Sequence, residues 1–272
     1  MSQDRFSGKV ALITGATQGI GEAAARRLAT EGASGIVVSG RNQERGRAVT
    51  DDLSAIGTEA VFVPAELADA SDCEALIAAT DERFGRIDVL VNAAGWTTRG
   101  TIVDTSVELW DTMMAVNVRA PFLLMQGTIA IMRREGIHGS IVNVGSVVSG
   151  GGMPHLTAYS TSKGALVTLT KNVAYAVAWD RIRVNVLSPG WMDTPGEDVI
   201  QRRFHSDGRD WLEDAEAAQP FGRLIKPDEL AGAIAFLASD DSGMMTGAVL
   251  DFDQSVLGAG PLPTPTRDET PY

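Results

Sequence analysis

Short runs of β-branched and other apolar residues punctuate this chain: "KVALIT" (9–14), "GIVVSG" (35–40), "EAVFVP" (59–64), "DVLVN" (88–92), "SIVNV" (140–144), "IRVNVL" (182–187) and "AVLDF" (248–252). Several are apolar almost throughout instead of alternating, the pattern of strands covered on both faces. Between them, apolar positions return every three to four residues near 20–31, 43–56, 71–84, 106–134, 158–179 and 228–238. That period predicts amphipathic helices. Strands alternating with helices at this spacing predict an α/β fold, a doubly wound parallel sheet of about seven strands with right-handed crossovers and helices on both faces.

Two regions break the rhythm. Residues 191–227 carry no clear strand between the last two strands, and a connection of that length is often a lid. The end, "GAGPLPTPTRDETPY", holds four prolines in fifteen residues, a composition that predicts an extended or disordered tail. The expected organisation is a catalytic domain over 1–258, its lid at about 191–227, and a tail over 259–272.

Composition narrows the classes. With 44% hydrophobic and 21% charged residues over 272 positions, the chain has the make-up of an ordinary soluble domain. Cys73 is alone, so no intrachain disulfide is possible, and no Cys/His spacing suggests a metal. A reducing cytoplasm is the natural compartment. No apolar run suggests a membrane span, and "MSQDRFSGK" lacks the apolar core of a signal peptide. The net charge of -12 is uneven: 17 basic and 19 acidic residues lie in 1–189, against 6 and 16 in 190–272. Nucleic acid is a poor partner for such a chain.

Chemistry enters at the first strand, which runs into "TGATQGIGEAAARRLA". Glycines at 15, 19 and 21 let a ligand approach the backbone, and the helix start offers free N–H groups to phosphate. The spacing G-x-x-x-G-x-G differs from the better-known dinucleotide fingerprint, and a structural glycine turn explains it equally well. A second signal is Tyr159 and Lys163 in "AYSTSKGALVTLTK", drawn from only three tyrosines and four lysines. One helical turn apart, they share a face. They are either a packing pair or a proton-transfer device, because an ammonium near a phenol favours the phenolate.

With "TGATQGIG" (14–21), "NAAG" (92–95), Asn117, Ser146, "YSTSK" (159–163) and "SPGWMDTP" (188–195) in that order, the chain resembles the short, single-domain branch of the short-chain dehydrogenase/reductase family. The resemblance spans about residues 6–258. It implies a Rossmann-type fold, a nicotinamide cofactor, and hydride transfer between a secondary alcohol, or a sugar ring hydroxyl, and a ketone or lactone. It also implies a Ser-Tyr-Lys site assisted by Asn. Tyr159 is then the general acid or base, Ser146 bonds the reacting oxygen, Lys163 reaches the nicotinamide ribose, and Asn117 holds a water behind the lysine. The cofactor would lie on Gly15, Thr17, Gln18, Gly19, Ile20 and Gly21, then Glu66 and Leu67 beside the adenine. Asn92, Ala93 and Gly95 would flank the ribose, with Asn92 equally suited to tying adjacent strands. Pro189, Gly190, Met192 and Thr194 would meet the nicotinamide.

Three positions depart from the family pattern or decide within it. Glu66 stands where the family usually has Asp, and "LDFDQSV" where it tends to have "DGG". At the end of the second strand, Gly40 occupies the position of the acidic residue that selects NAD, with Arg41 just after it. Gly40 leaves room and Arg41 suits a 2′-phosphate, so NADP is favoured and NAD is the alternative. No second basic residue appears in the glycine loop, where Thr17 and Gln18 stand.

For the substrate, Trp96, Val148, Met153, His155, Leu156 and Trp191, with Ser146, would form an aromatic cleft with a few polar handles. Arg99 is placed to meet a substrate anion or simply to face solvent. A small polar alcohol, sugar or polyol competes with a 3-oxoacyl thioester on an acidic carrier, and the acidic final third opposes the carrier. A catalytically inactive nucleotide-binding regulator would have little reason to keep all four site residues. A nucleotide-sugar epimerase normally needs a larger domain after the sheet. The helices at 106–134 and 158–179 carry surplus apolar surface, which family members pair between subunits, so a homotetramer or homodimer is expected.

Overall fold

The computed structural model describes residues 4–205 and 210–256; the proline-rich tail lies outside them. Seven strands form one sheet: β1 (Val10–Thr14), β2 (Gly35–Gly40), β3 (Glu59–Pro64), β4 (Val89–Asn92), β5 (Ser140–Val144), β6 (Arg183–Pro189) and β7 (Val249–Phe252). Their order is β3-β2-β1-β4-β5-β6-β7, and every pairing is parallel. The chain winds outward from β1 to one edge and returns to β4 to wind toward the other. The crevice for a ligand therefore opens beyond the carboxyl ends of β1 and β4.

The helices are α1 (Gly19–Thr30), α2 (Gln43–Ala55), α3 (Ala70–Phe84), α4 (Val107–Met114), α5 (Ala120–Glu135), α6 (Thr157–Ala176), α7 (Pro195–Phe204), α8 (Trp211–Ala217) and α9 (Pro227–Ala238). Successive strand residues feed opposite cores. Ile13 and Val91 join Leu28, Leu230 and Ile234 on one face, whereas Leu12 and Leu90 join Leu76, Leu124 and Met125 on the other. This double burial is why the strands read as continuous apolar runs. Each such Leu or Ile contributes about 1.5–3 kcal/mol.

Three expectations change in detail. The helix expected over 106–134 is continuous but not uniform: α4 and α5 are joined by a π-helical turn, Ala115–Arg119, with Asn117 inside it. By length and composition Val107–Glu135 would pass for a membrane-crossing helix, although no such run was expected; half of its apolar window is buried inside the protein. α6 stops at Ala176, and after a short 3-10 turn Arg181 takes a left-handed conformation (φ 58°) that ends the helical path. The 191–227 connection carries α7 and α8, capped by the side chains of Thr194 and Asp210.

Candidate active site

The glycine loop joins β1 to α1. Gly15 (φ 65°) and Gly19 (φ 59°) adopt left-handed backbone, and a β-carbon on Gly15 would lie 2.7 Å from Ala94 Cα. One on Gly21 would lie 2.5 Å from the Gly15 carbonyl oxygen, so side chains are excluded where loop and helix close up. Gln18 stands at the N-cap of α1 but its side chain makes no capping bond to the helix, which leaves the first amides to an anion. Gly19 faces Thr194 across the crevice; a β-carbon on Gly19 would lie 3.8 Å from Thr194 Cβ. This uncapped, side-chain-free cradle fits the pyrophosphate of a dinucleotide. Thr17 and Leu67 are buried, and Ile20 and Ala93 pack on the core beneath.

Asn92 ties strands together. Its amide donates to Asn143 Oδ1 (2.8 Å), and Asn143 donates to Thr170 Oγ1 (2.9 Å), bracing β4, β5 and α6. Gly95 follows on the same loop. It lies over the buried Lys163, whose Nζ would be 3.5 Å from a β-carbon there.

Ser146, Tyr159 and Lys163 meet beyond the end of β5. The Ser146 hydroxyl lies close enough to that of Tyr159 to act on it, and Lys163 Nζ donates to the Val144 carbonyl at 2.8 Å. Burial pushes the Tyr159 phenol up to about 12, against the lowering effect of Ser146; Glu197 raises it and Arg99 lowers it. Burial likewise pushes the Lys163 ammonium down to about 8. Burial thus outweighs any stabilisation of a phenolate that Lys163 supplies in this arrangement. Nζ stands 5.7 Å from the Tyr159 ring centroid, engaged with a carbonyl, and desolvation dominates both groups.

Asn117 is engaged on both sides of its amide. Its Nδ2 donates to the Trp96 carbonyl (2.9 Å) and Ser162 Oγ (3.0 Å), while Oδ1 accepts from Trp96 N–H (2.8 Å). The side chain thus ties the Trp96 main chain to Ser162 of α6 from within the π-turn. Such turns occur frequently at functional sites.

At the end of β2, Gly40 is not the open space expected. Thr17 fills it, with Cγ2 only 2.8 Å from where a β-carbon on Gly40 would sit, so an acidic residue at 40 would first have to displace Thr17. Arg41 is exposed and pairs with Glu66 at 3.6 Å, a contact the longer carboxylate side chain permits. Arg45, not anticipated, reaches the glycine loop from the first turn of α2 and donates to Gln18 Oε1.

The expected substrate wall is divided. Val148 and Met153 line an open depression of about 570 Å³ with Ser160, Thr161 and Gly164. These lie on a different flank of α6 from Tyr159 and Lys163. Leu156 is buried. Trp191 stacks on Trp211 (centroids 6.2 Å apart) and donates to Glu197 Oε1 (3.0 Å), which folds the lid onto itself. Thr194 Oγ1 accepts from Glu197 N–H as the cap of α7, leaving its own proton to donate. Met192 is buried through a bridge to Ile225. Gly190, after Pro189, has no alternative: Asp253 Oδ1 would lie 1.8 Å from a β-carbon there. The "LDFDQSV" departure thus sets a carboxylate against Gly190. Gln254 then bonds Phe221 N–H (3.0 Å) and the Arg223 carbonyl (2.8 Å) at the lid's base.

Comparison with known proteins agrees with this geometry. Residues 15–255 match a family model described as enoyl-(acyl carrier protein) reductase. The chain is 36% identical to a 3-oxoacyl-acyl-carrier-protein reductase of Thermotoga maritima, over 92% of this chain and 98% of the relative. It is also 36% identical to trans-4-hydroxycyclohexanecarboxylate dehydrogenase of Sinomonas cyclohexanicum, over 92% and 93%. Among solved structures, an actinorhodin polyketide ketoreductase variant with NADPH superposes with a TM-score of 0.85 at 32% identity, covering 92% of this chain and 97% of the other.

Proposed function

We propose, from the premise that the chain belongs to the short-chain dehydrogenase/reductase family and is a nicotinamide-dependent oxidoreductase, that it interconverts a small polar secondary alcohol and the corresponding ketone. The observation carrying this reading is the meeting of Ser146, Tyr159 and Lys163, with Lys163 Nζ anchored on the Val144 carbonyl 5.7 Å from the Tyr159 ring. When bound, the nicotinamide supplies or accepts the hydride. Ser146 and Tyr159 hold the reacting oxygen, and Tyr159 gives its proton to a ketone or takes one from an alcohol. A phenol pushed up to about 12 is ready as an acid; removing its proton requires a positive charge nearby. Lys163 has donors to spare beyond its Val144 bond and would hold ribose hydroxyls. Asn117 keeps Trp96 and Gly95 in place beside them.

A ring alcohol is supported by the relative that acts on trans-4-hydroxycyclohexanecarboxylate. The second reading is a 3-oxoacyl-thioester reductase, favoured by the 3-oxoacyl relative and the polyketide ketoreductase. The acidic final third of the chain weighs against an acidic carrier. NADP is the preferred cofactor on this proposal, with Arg41 and Arg45 flanking the place of a 2′-phosphate.

Turnover of cyclohexanols, sugars, polyols and acetoacetyl thioesters with each nicotinamide tests this. Oxidation of alcohols with NADP is expected. Activity confined to thioesters establishes the second reading instead, and activity with nothing removes both. We also propose a homodimer or homotetramer through the groove between α5 and α6, lined by Phe122, Ile129 and Val173 beside the exposed Tyr175; a monomeric mass by light scattering refutes it.

A further inference from the structure

Three segments distant in sequence meet at the mouth of the site. Gly100 N–H donates to the His155 carbonyl (3.0 Å) and the Gly100 carbonyl accepts from Thr157 N–H (3.1 Å), so the loop after β4 is fastened to the segment entering α6. That contact fixes Arg99 beside His155, one helical turn before Tyr159. From the lid, His205 closes the end of α7 onto the same place: Arg99 Nε donates to His205 Nε2 at 2.8 Å, and the His155 and His205 rings meet edge to face at 5.8 Å.

The charges in this cluster are one-sided. A ring nitrogen that accepts from a guanidinium carries no proton there, so His205 is neutral in this pairing. Burial, and then the nearby Arg99 and His155, also lower its pKa. Arg99 is the fixed cation, and among the described residues it has no carboxylate bonded to it. Glu197, the acidic group acting on both Tyr159 and His205, is held instead by Trp191 Nε1 (3.0 Å) and Gln201 Nε2 (2.6 Å). The terminal nitrogens of Arg99 keep a planar fork suited to bidentate bonding of a carboxylate. Arg99 is also close enough to act electrostatically on the Tyr159 hydroxyl. A ligand reaching from one to the other needs an oxygen at one end and an anion at the other.

We infer that Arg99, with His155 and His205 beside it, is a recognition site for a carboxylate carried by the substrate at the end remote from its reacting hydroxyl or keto carbon. The substrate class is then a hydroxy acid or keto acid instead of a neutral polyol. This rests on the proposed alcohol–ketone reaction for its orientation, but the binding site itself is tested without turnover.

Cyclohexanecarboxylate and cyclohexanecarboxamide have the same shape and differ in charge. Calorimetric titration of each into the full-length protein with NADP present reads the preference directly. The wild type is expected to bind the carboxylate about tenfold tighter or more, as one charge-assisted forked contact allows. Arg99→Gln should bring the ratio to about one, and Arg99→Lys, which keeps charge but loses the fork, should restore only part of it. Equal binding of both probes by the wild type, binding of neither, or a preference that survives Arg99→Gln overturns the assignment. Persistence of the preference in a protein that transfers hydride to no alcohol or ketone would remove the redox reading and leave the carboxylate site standing.

Discussion

The floor and the roof of this crevice are built differently. The floor is made by strand ends and one long helix: Asn92, Asn143 and Thr170 are buried and hydrogen-bonded to one another, and Lys163 is tied to the main chain of β5. The roof, from Trp191 to Ile225, is made of two short helices joined by contacts near the surface. Its ties are the Trp191–Trp211 stack, the pair Lys226–Asp193 (2.8 Å) and the two bonds from Gln254. The ion pair among them contributes little, about 0–1 kcal/mol, and the one buried cluster of the roof is small: Trp211, Ala215 and Leu224. On the proposed function, the reacting groups therefore sit on the part of the molecule that is costly to deform.

The largest effect should come from the floor. Tyr159→Phe keeps the ring and its packing and removes only the hydroxyl beside Ser146. Turnover should fall about a thousandfold, within the range for loss of a general acid or base, while cofactor affinity is retained. Steady-state rates beside a fluorescence titration with NADPH separate the two, and retention of most activity would remove Tyr159 from its role.

Next is a pH dependence specific to the dry floor. Lys163 is driven from 10.5 to about 8 by burial. The folded protein thus releases this proton at a pH where the unfolded chain still holds it. The penalty is fully present below pH 8 and is relieved as pH rises toward 10.5, so this group makes the fold more stable with rising pH. The stability of wild type relative to Lys163→Met should climb by about 3 kcal/mol across that window. Tyr159 works in the opposite sense above about pH 10, but it is common to both proteins. Urea unfolding at a series of pH values checks this, and a flat difference would mean the ammonium is hydrated in solution.

The rim at β2 should respond less. Arg45→Ala removes the contact to Gln18 and Arg41→Ala the pair with Glu66. Each change should weaken NADP by about tenfold and NAD by much less, as expected for loss of a charge-assisted contact to phosphate. Equal effects on both nicotinamides would assign these arginines to shaping the loop.

The same division governs what could be read from the chain. Every strand was legible to within two residues: the inner ones because burial on both faces keeps them apolar along their length, the half-exposed edge strands β3 and β7 from shorter apolar runs. The positions of Ser146, Tyr159 and Lys163 followed from motif and order. What escaped depends on contacts between distant segments. Nothing local announces that Thr17 fills the space at Gly40, or that Asp253 presses on Gly190. Arg99 and His205 are 106 residues apart, with no shared periodicity. The π-turn was hidden because apolar spacing runs through it unbroken. The α7 start did carry a signal, "TPGE" at 194–197, a Ser/Thr-x-x-Glu capping pattern.

The smallest effect tests the roof itself. α7 and α8 are ten and seven residues long, too short to persist without tertiary support. Their support includes the stack of Trp191 on Trp211, Trp211 Nε1 donating to Asp198 Oδ1 at 2.9 Å, the Arg99–His205 bond at the end of α7, and a small cluster of Trp211, Ala215 and Leu224 apart from the main cores. Local opening should therefore cost less free energy here than in α6, which lies on the sheet over twenty residues. In the ligand-free protein, amide exchange in 195–204 should be at least about tenfold faster than in the buried turns of α6. Cofactor with a bound alcohol or its ketone should slow it several-fold, because Thr194 and the end of α7 would then gain partners across the crevice. Exchange in α6 should change little. If α7 proves as protected as α6 in the free protein, and ligands alter neither, the roof is as rigid as the floor. Specificity would then have to come from a preformed cleft instead of from closure.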